Sequence, residues 1–220
     1  MNSDTHSTVS TIVFGEEMHL LSEKAIHLPR HNMLLIADLH LGKVEHFRKH
    51  GIGIPSGASK QDLSKLKQLV QRVNAQEVVF LGDLFHSDFN KAWFDFQQLL
   101  QELSAYNFHL VIGNHDILDE SKYEKMKICY QMEVGNLILT HEPMDVIIED
   151  NYNLCGHIHP GVRLTGKGRQ NLRLPCFYFG AHTGILPAFG SFTGLHVLKP
   201  LEDDKVFVVN DNLVIEVSNS

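Results

Sequence analysis

Four residues, Gly113-Asn114-His115-Asp116, follow the apolar run 108–112 without a break. An amide oxygen, an imidazole and a carboxylate are thereby offered where a strand-like run has just ended. Four other segments do the same. Residues 34–40 run into Asp38 and His40, 78–86 into Asp83, 137–142 into His141, and 154–159 into His157 and His159. Five such endings point to one site, assembled at one edge of a sheet. Its donors are nitrogen and oxygen without sulfur, which suits Mn²⁺, Zn²⁺, Fe²⁺ or Ni²⁺ and disfavours Cu(I) and iron–sulfur clusters.

Asp38, His40, Asp83, Asn114, His141, His157 and His159 are too many for one ion. They divide between two if Asp83 lends an oxygen to each. Two divalent ions bring about +4, and Asp38, Asp83 and a bridging hydroxide remove about 3, leaving a small positive excess that attracts phosphate. Two ions roughly 3.5–4 Å apart clamp an in-line displacement at phosphorus. The expected chemistry is attack by the metal-bridging hydroxide. His115 protonates the leaving oxygen, and Asp116 holds the His115 ring in the right tautomer. Taken singly the pieces are weak: D-x-H and H-x-H are common beside strands, GNHD alone fits a capped turn, and Asp83 alone fits a helix cap. Their order and uniform placement after apolar runs carry the reading. The i, i+2 pairs Asp38/His40 and His157/His159 are expected in extended chain, each pair pointing one way into one cavity.

The elements that must position these residues follow from the apolar pattern. Residues 12–14 and 18–28 alternate weakly around Leu21-Ser22-Glu23 and predict a short leading hairpin. The continuous run 33–37 predicts a strand buried on both faces, and 51–57, rich in Gly with Pro55, a loop. Ser59 caps a helix to about Val73, with Leu63, Leu66, Leu69, Val70 and Val73 on one face. A strand at 78–81 follows, then a helix from the cap Asn90 to about Ala105, with Trp93, Phe96, Leu99, Leu100 and Leu103 as its stripe. A strand at 108–112 completes a βαβαβ pattern with a parallel sheet. Sites in such sheets lie beyond the carboxyl ends of the strands. Residues 121–127 predict one or two helical turns. The remainder predicts a mainly antiparallel half, with strands near 128–133, 136–140, 153–155, 162–165, 171–180, 194–198, 205–209 and 212–217. Two sheets packed face to face, with helices outside, accommodate the whole.

Composition bounds the rest. At 220 residues and 43% hydrophobic, the chain reads as one domain over 1–220. The polar start, Met1 to Thr11, predicts no signal peptide, and no apolar run reaches the length of a membrane span. Cys129, Cys155 and Cys176 lack C-x-x-C neighbours and read as buried small apolar residues, so a reducing cytoplasm is expected. The net charge of −7 argues against a broad surface gripping nucleic acid. The stretch 151–199 nevertheless holds no acid while carrying Arg163, Lys167, Arg169, Arg173 and Lys199, which is either a local basic rim or simply an exposed basic hairpin. Of fifteen histidines, nine lie outside the polar endings, and His182 is the one of these to watch.

The ordered set DLH, GDLFH, GNHD, an isolated histidine after a strand, and GHIH resembles the calcineurin-like metallophosphoesterase superfamily. The resemblance implies an α/β fold, the four-layer α/β/β/α sandwich of two mixed β-sheets, with a dinuclear centre. Carried over by motif, Asp38, His40, Asp83 and His159 hold one metal, Asp83, Asn114, His141 and His157 the other, and His115 is the catalytic histidine. Manganese is the first expectation, with zinc, iron or nickel as alternatives. IADLHLGK (36–43), FLGDLFHS (80–87), CGHIHPGV (155–162), LPCFYF (174–179) and LPAFGSFTG (186–194) are similar to the DNA-ligase-associated (PdeM-like) metallophosphoesterases, which are related to the nuclease SbcD. This likeness makes His86 a catalytic candidate and implies a phosphodiester substrate such as DNA, in a repair setting with ligase or helicase partners. No segment looks like the DNA-capping domain of SbcD nucleases, which speaks against processive duplex degradation. Two alternatives stand beside the phosphodiesterase: a phosphatase or nucleotide or cyclic-nucleotide phosphodiesterase acting on small molecules, and a non-catalytic partner of a ligase or helicase.

Overall fold

The structure is a computed structural model that describes residues 6–43, 58–85, 91–146, 150–165 and 171–217. The loop expected at 51–57 and the cap Asn90 lie outside them. A first sheet opens with a meander, β1 (Thr8–Val13), β2 (Glu16–Leu21) and β3 (Ala25–Leu28). Strand β4 (Met33–Ile36) pairs antiparallel with β3, and β5 (Glu77–Leu81), β6 (Asn107–Val111) and β7 (Lys127–Cys129) then add in parallel, in the order β1 to β7. Helix α1 (Ala58–Val73) lies between β4 and β5 in sequence, and α2 (Lys91–Glu102) between β5 and β6.

The continuous apolar character of β4 to β6 has a direct cause. One set of alternate residues, Leu34, Ile36, Val78, Phe80 and Leu110, packs against Leu66, Leu69 and Val70 of α1 and Phe96 and Leu100 of α2. The other set, Leu35, Val79, Leu81 and Val111, packs against Leu137, Leu139, Leu154, Phe177 and Phe207 of a second sheet. Both faces are covered, so neither can be polar.

The second sheet contains β8 (Met132–Val134), β9 (Leu137–Leu139), β10 (Tyr152–Cys155), β11 (Pro160–Thr165), β12 (Asn171–Phe179), β13 (Thr183–Ile185), β14 (His196–Val197), β15 (Lys205–Asn210) and β16 (Leu213–Val217). Its order is β14-β11-β12-β13-β10-β9-β8, with β15 on β12 and β16 beyond. Both sheets are mixed. The expectation of a mainly antiparallel second half is corrected at the centre, where β10 runs parallel to both β9 and β13. The strand expected at 128–133 is two strands: β7 closes the first sheet, Tyr130 and Gln131 cross over, and β8 opens the second. The leading hairpin is three-stranded, and β13 was not expected. Residues 120–123 form a single 3₁₀ turn. Among the described residues both α-helices pack on the first sheet. On the outer face of the second, where a fourth, helical layer is expected, the described residues provide Val162, Cys176, Val206 and Val208 as a small apolar cluster of their own. Among them, too, no helix is long and apolar enough to cross a membrane.

Candidate metal centre

Parallel strands in register end at one level, which fixes where their loops emerge. The segment leaving β4 runs beside the one leaving β5: the Asp38, His40 and Leu41 amides donate to Gly82, Asp83 and Leu84 carbonyls at 3.3, 2.9 and 2.9 Å. The Asp83 Oδ1 accepts the His115 backbone N–H at 2.9 Å, tying in the segment after β6. In the second sheet, Gly156 after β10 donates to the His141 carbonyl after β9 at 3.0 Å. The two sheets meet here. The His157 N–H donates to the Asp38 carboxylate at 2.9 and 3.1 Å, and His141 Nδ1 lies 2.9 Å from the Leu81 carbonyl.

The structure thus brings Asp38, His40, Asp83, Asn114, His141, His157 and His159 together, between two sheets rather than at the edge of one. The atoms that Asp38, His40 and His159 offer lie within 4.8 Å of one another, and so do those of Asp83, His141 and His157. In the first group His40 Nε2 is 3.2 Å from His159 Nε2, which is 3.3 Å from Asp38 Oδ1. Asp83 turns one oxygen to each group: Oδ2 is 3.6 Å from His40 Nε2 and Oδ1 is 3.3 Å from His141 Nε2.

The donor chemistry fits a cation. A carbonyl can only accept, so His141 carries a proton on Nδ1, which leaves Nε2 facing the other donors. Around that Nε2 stand Asn114 Oδ1 at 3.0 Å, His157 Nδ1 at 3.1 Å and Asp83 Oδ1 at 3.3 Å. Nitrogen and oxygen atoms of four side chains thus converge on one point, a donor set that borderline and hard divalent ions take. Divalent metal is the group these residues suit.

The i, i+2 pairs are not extended. Asp38, His40, Asp83, His157 and His159 all hold left-handed backbone, with φ of 53°, 47°, 50°, 66° and 52°. Each costs roughly 1–2 kcal/mol for a side-chain-bearing residue and persists because the surrounding bonds over-determine it. One result is that His157 and His159 face different groups. Two glycines make the crowding feasible. At Gly82, with φ of +75°, a Cβ would lie 2.2 Å from the His141 ring and 2.8 Å from Gly113 Cα; at Gly156 it would lie 2.6 Å from Asp38 Oδ2.

Asp116 does something other than hold the His115 ring. It is buried, with Oδ1 accepting the Leu84 and Phe85 amides at 2.9 and 3.2 Å and Oδ2 the Gly113 amide at 3.0 Å. It is a clamp between two ligand-bearing segments. Burial pushes its pKa up to about 6, against the pull of those three N–H groups. The His115 ring meets His40 edge-on, centroids 5.5 Å apart. His86 lies outside the described residues.

Sequence reading missed two features. Lys43 shares a small recess with His40, Ser59 and Asp62; burial lowers its pKa while Asp83 and Asp38 pull the other way. The available signal was a basic residue ending the phrase that starts at Asp38. The other is the segment 189–191. Its Phe189 and Gly190 amides donate to Ala37 and Asp38 carbonyls at 2.9 and 3.1 Å. Lys65 Nζ holds the Phe189 carbonyl at 2.9 Å and Lys24 Nζ the Gly190 carbonyl at 3.4 Å. Asp62 accepts the Ser191 amide at 3.1 Å and hydroxyl at 2.5 Å. Burial, then repulsion from Lys65, lowers the Lys24 pKa to about 7.

Comparisons with known proteins bear on this arrangement. Among solved structures, the chain is similar to the Pseudomonas putida nuclease MPE, with a TM-score of 0.80 at 23% identity, covering 96% of this chain and 100% of that one. It overlaps more loosely with the E. coli phosphoesterase YfcE, with a TM-score of 0.44 at 15% identity over 84% and 98% of the two chains. No curated protein matches the chain by sequence. A family model described as calcineurin-like phosphoesterase matches residues 31–180, more than half of the chain and all seven of the convergent donors just described. This protein therefore belongs to the calcineurin-like phosphoesterases, and is a metal-dependent phosphoester hydrolase.

Proposed function

We propose that the chain is a two-metal phosphodiesterase, with manganese the first candidate, that cleaves DNA ends or nicks in a repair setting. The observation that carries this reading is Asp83, which gives one carboxylate oxygen to each of two ligand groups. That spacing suits a pair of cations sharing one phosphate. Such cations supply Lewis-acid neutralisation at phosphorus and a more acidic water. The chain's own residues do the rest. Asp116 sets the 83–85 and 113 backbones, His115 delivers a proton to the leaving oxygen, and Lys43 adds a positive charge at the rim.

Nucleic acid is favoured by the β11–β12 hairpin, which leaves the site directly after His159. Arg163 and Arg173 stand opposite each other in its register, both exposed. Like charges directly opposite destabilise a hairpin, so the pair suits a surface that receives phosphates. The likeness to a chain named as a nuclease, and to the DNA-ligase-associated phrases, supports the same direction and extends the proposal to a ligase or helicase partner.

The test offers the Mn²⁺-loaded protein aryl monoester, aryl diester, cyclic nucleotide, and single- and double-stranded DNA side by side. Diesters and DNA should turn over, and Asp83→Ala should abolish turnover of every substrate. A preference for the monoester would overturn the proposal.

A further inference from the structure

A shallow, open recess of about 360 Å³ lies beside the second ligand group, lined by Asn114, His141, Ile112, Tyr130 and Glu142 among others. Tyr130 is 79% exposed. It sits at the crossover from β7 to β8, and among the described residues nothing stacks on its ring or bonds its hydroxyl. An aromatic face left to water beside a metal centre is an unused surface of high contact value. A recess this open admits many ligands by size alone. Charge narrows the choice. The lining holds no lysine or arginine and one carboxylate, Glu142, so its own side chains offer nothing that would attract a second phosphate. Glu142 is exposed, and its backbone carbonyl is fixed by the Thr140 hydroxyl at 2.6 Å. A neutral, flat group that stacks on Tyr130 and donates a hydrogen bond to Glu142 satisfies every wall.

Resting on the phosphodiesterase reading, we infer that this recess is a subsite for one unpaired nucleobase of the strand being cleaved, with preference for bases that carry an exocyclic amino group. Stacking on a protein ring requires the base to leave its own stack, as in single strands. A carboxylate accepts from the cytosine or adenine amino group, whereas thymine presents only acceptors at the corresponding exocyclic position. The recess's shared walls Asn114 and His141 place that base next to the phosphate that the ligand groups would hold.

The experiment compares the Mn²⁺-loaded full chain with Tyr130→Ala, Tyr130→Phe and Glu142→Gln on a single-stranded oligonucleotide and on the same strand made abasic. Wild type should prefer the base-bearing strand. In Tyr130→Ala that preference should fall on the order of 10- to 100-fold, the size of one lost stacking contact, while Tyr130→Phe retains it and Glu142→Gln erodes discrimination between cytosine and thymine strands. An unchanged preference in Tyr130→Ala overturns the subsite. A second arm needs no turnover, so it separates failure of the subsite from failure of the enzyme reading. In the Mn²⁺-loaded chain carrying His115→Ala to suppress cleavage, the indole fluorescence added by Tyr130→Trp should be quenched by the base-bearing strand and not by the abasic one. Equal response to both strands, or none, sinks the inference even if the protein cleaves DNA.

Discussion

His157 shows how much of this site rests on single backbone conformations. Its φ of 66° lies where asparagine is tolerated and a β-branched residue is not. Both His157→Asn and His157→Val remove an imidazole and should lose metal-dependent turnover. Only the valine variant should also lose fold stability, by about 1–2 kcal/mol relative to the asparagine variant. Thermal unfolding in EDTA measures the difference, and equal midpoints would remove the strain argument. The chemical identity of the donors was legible in the sequence, because Asp, Asn and His placed directly after apolar runs, five times in one chain, do not suit a core. Their conformation was not. An alternating pair such as Asp38 and His40 reads as extended chain, and nothing in the residue types announces left-handed φ. Asp116 was legible as a site carboxylate beside His115 but not as the acceptor of three backbone amides, since the Leu84 and Phe85 donors lie far from it in sequence. Replacing Asp116 by Ala should leave those buried N–H groups unsatisfied, at about 1–3 kcal/mol each at most. Asp116→Asn, which keeps an acceptor oxygen, should cost clearly less in urea unfolding. Comparable losses would mean that the clamp contributes little.

At the scale of elements, α1 and α2 were readable from their apolar stripes and β4 to β6 from their unbroken apolar runs, because burial on a known face leaves a period. Residues 128–133 failed for the same reason. Two three-residue strands joined by Tyr130 and Gln131 look like one strand when only local pattern is used, and β13 is too short to leave a pattern. The turn between β2 and β3 supplies a prediction of its own. Lys24 has a folded pKa of about 7, below its usual value near 10.4. Between those values the unfolded lysine holds a proton that the folded one has released, so stability rises with pH across that window and is least favoured below 7. Lys24→Met should therefore raise the unfolding midpoint by a few degrees near pH 6, with the gain shrinking toward pH 10. A gain that does not change with pH would contradict the burial of that ammonium.

For the molecule as a whole, the net charge of −7 conceals a basic hairpin. If Arg163 and Arg173 meet a strand's phosphates, Arg163→Gln with Arg173→Gln should flatten the dependence of log kcat/KM on log salt for single-stranded DNA by up to about 1.4 units of slope. A small diester should show little change, and an unaltered DNA slope would assign the hairpin no role in binding. That charge asymmetry could be counted from sequence, but the direct opposition of the two arginines needed the β11–β12 register. The placement of the donors between sheets was likewise beyond local pattern, since it depends on how two separately readable halves face each other. That arrangement has a mechanical corollary. Asp38, on the first sheet, grips the His157 amide of the second, and Leu81 of the first orients His141 of the second. Each half holds the other's working parts in aim, like two combs with meshed teeth. A small slip between the halves would misalign both cation seats together, so gentle swelling in denaturant should extinguish catalysis in a single step while helix and strand signals are still intact.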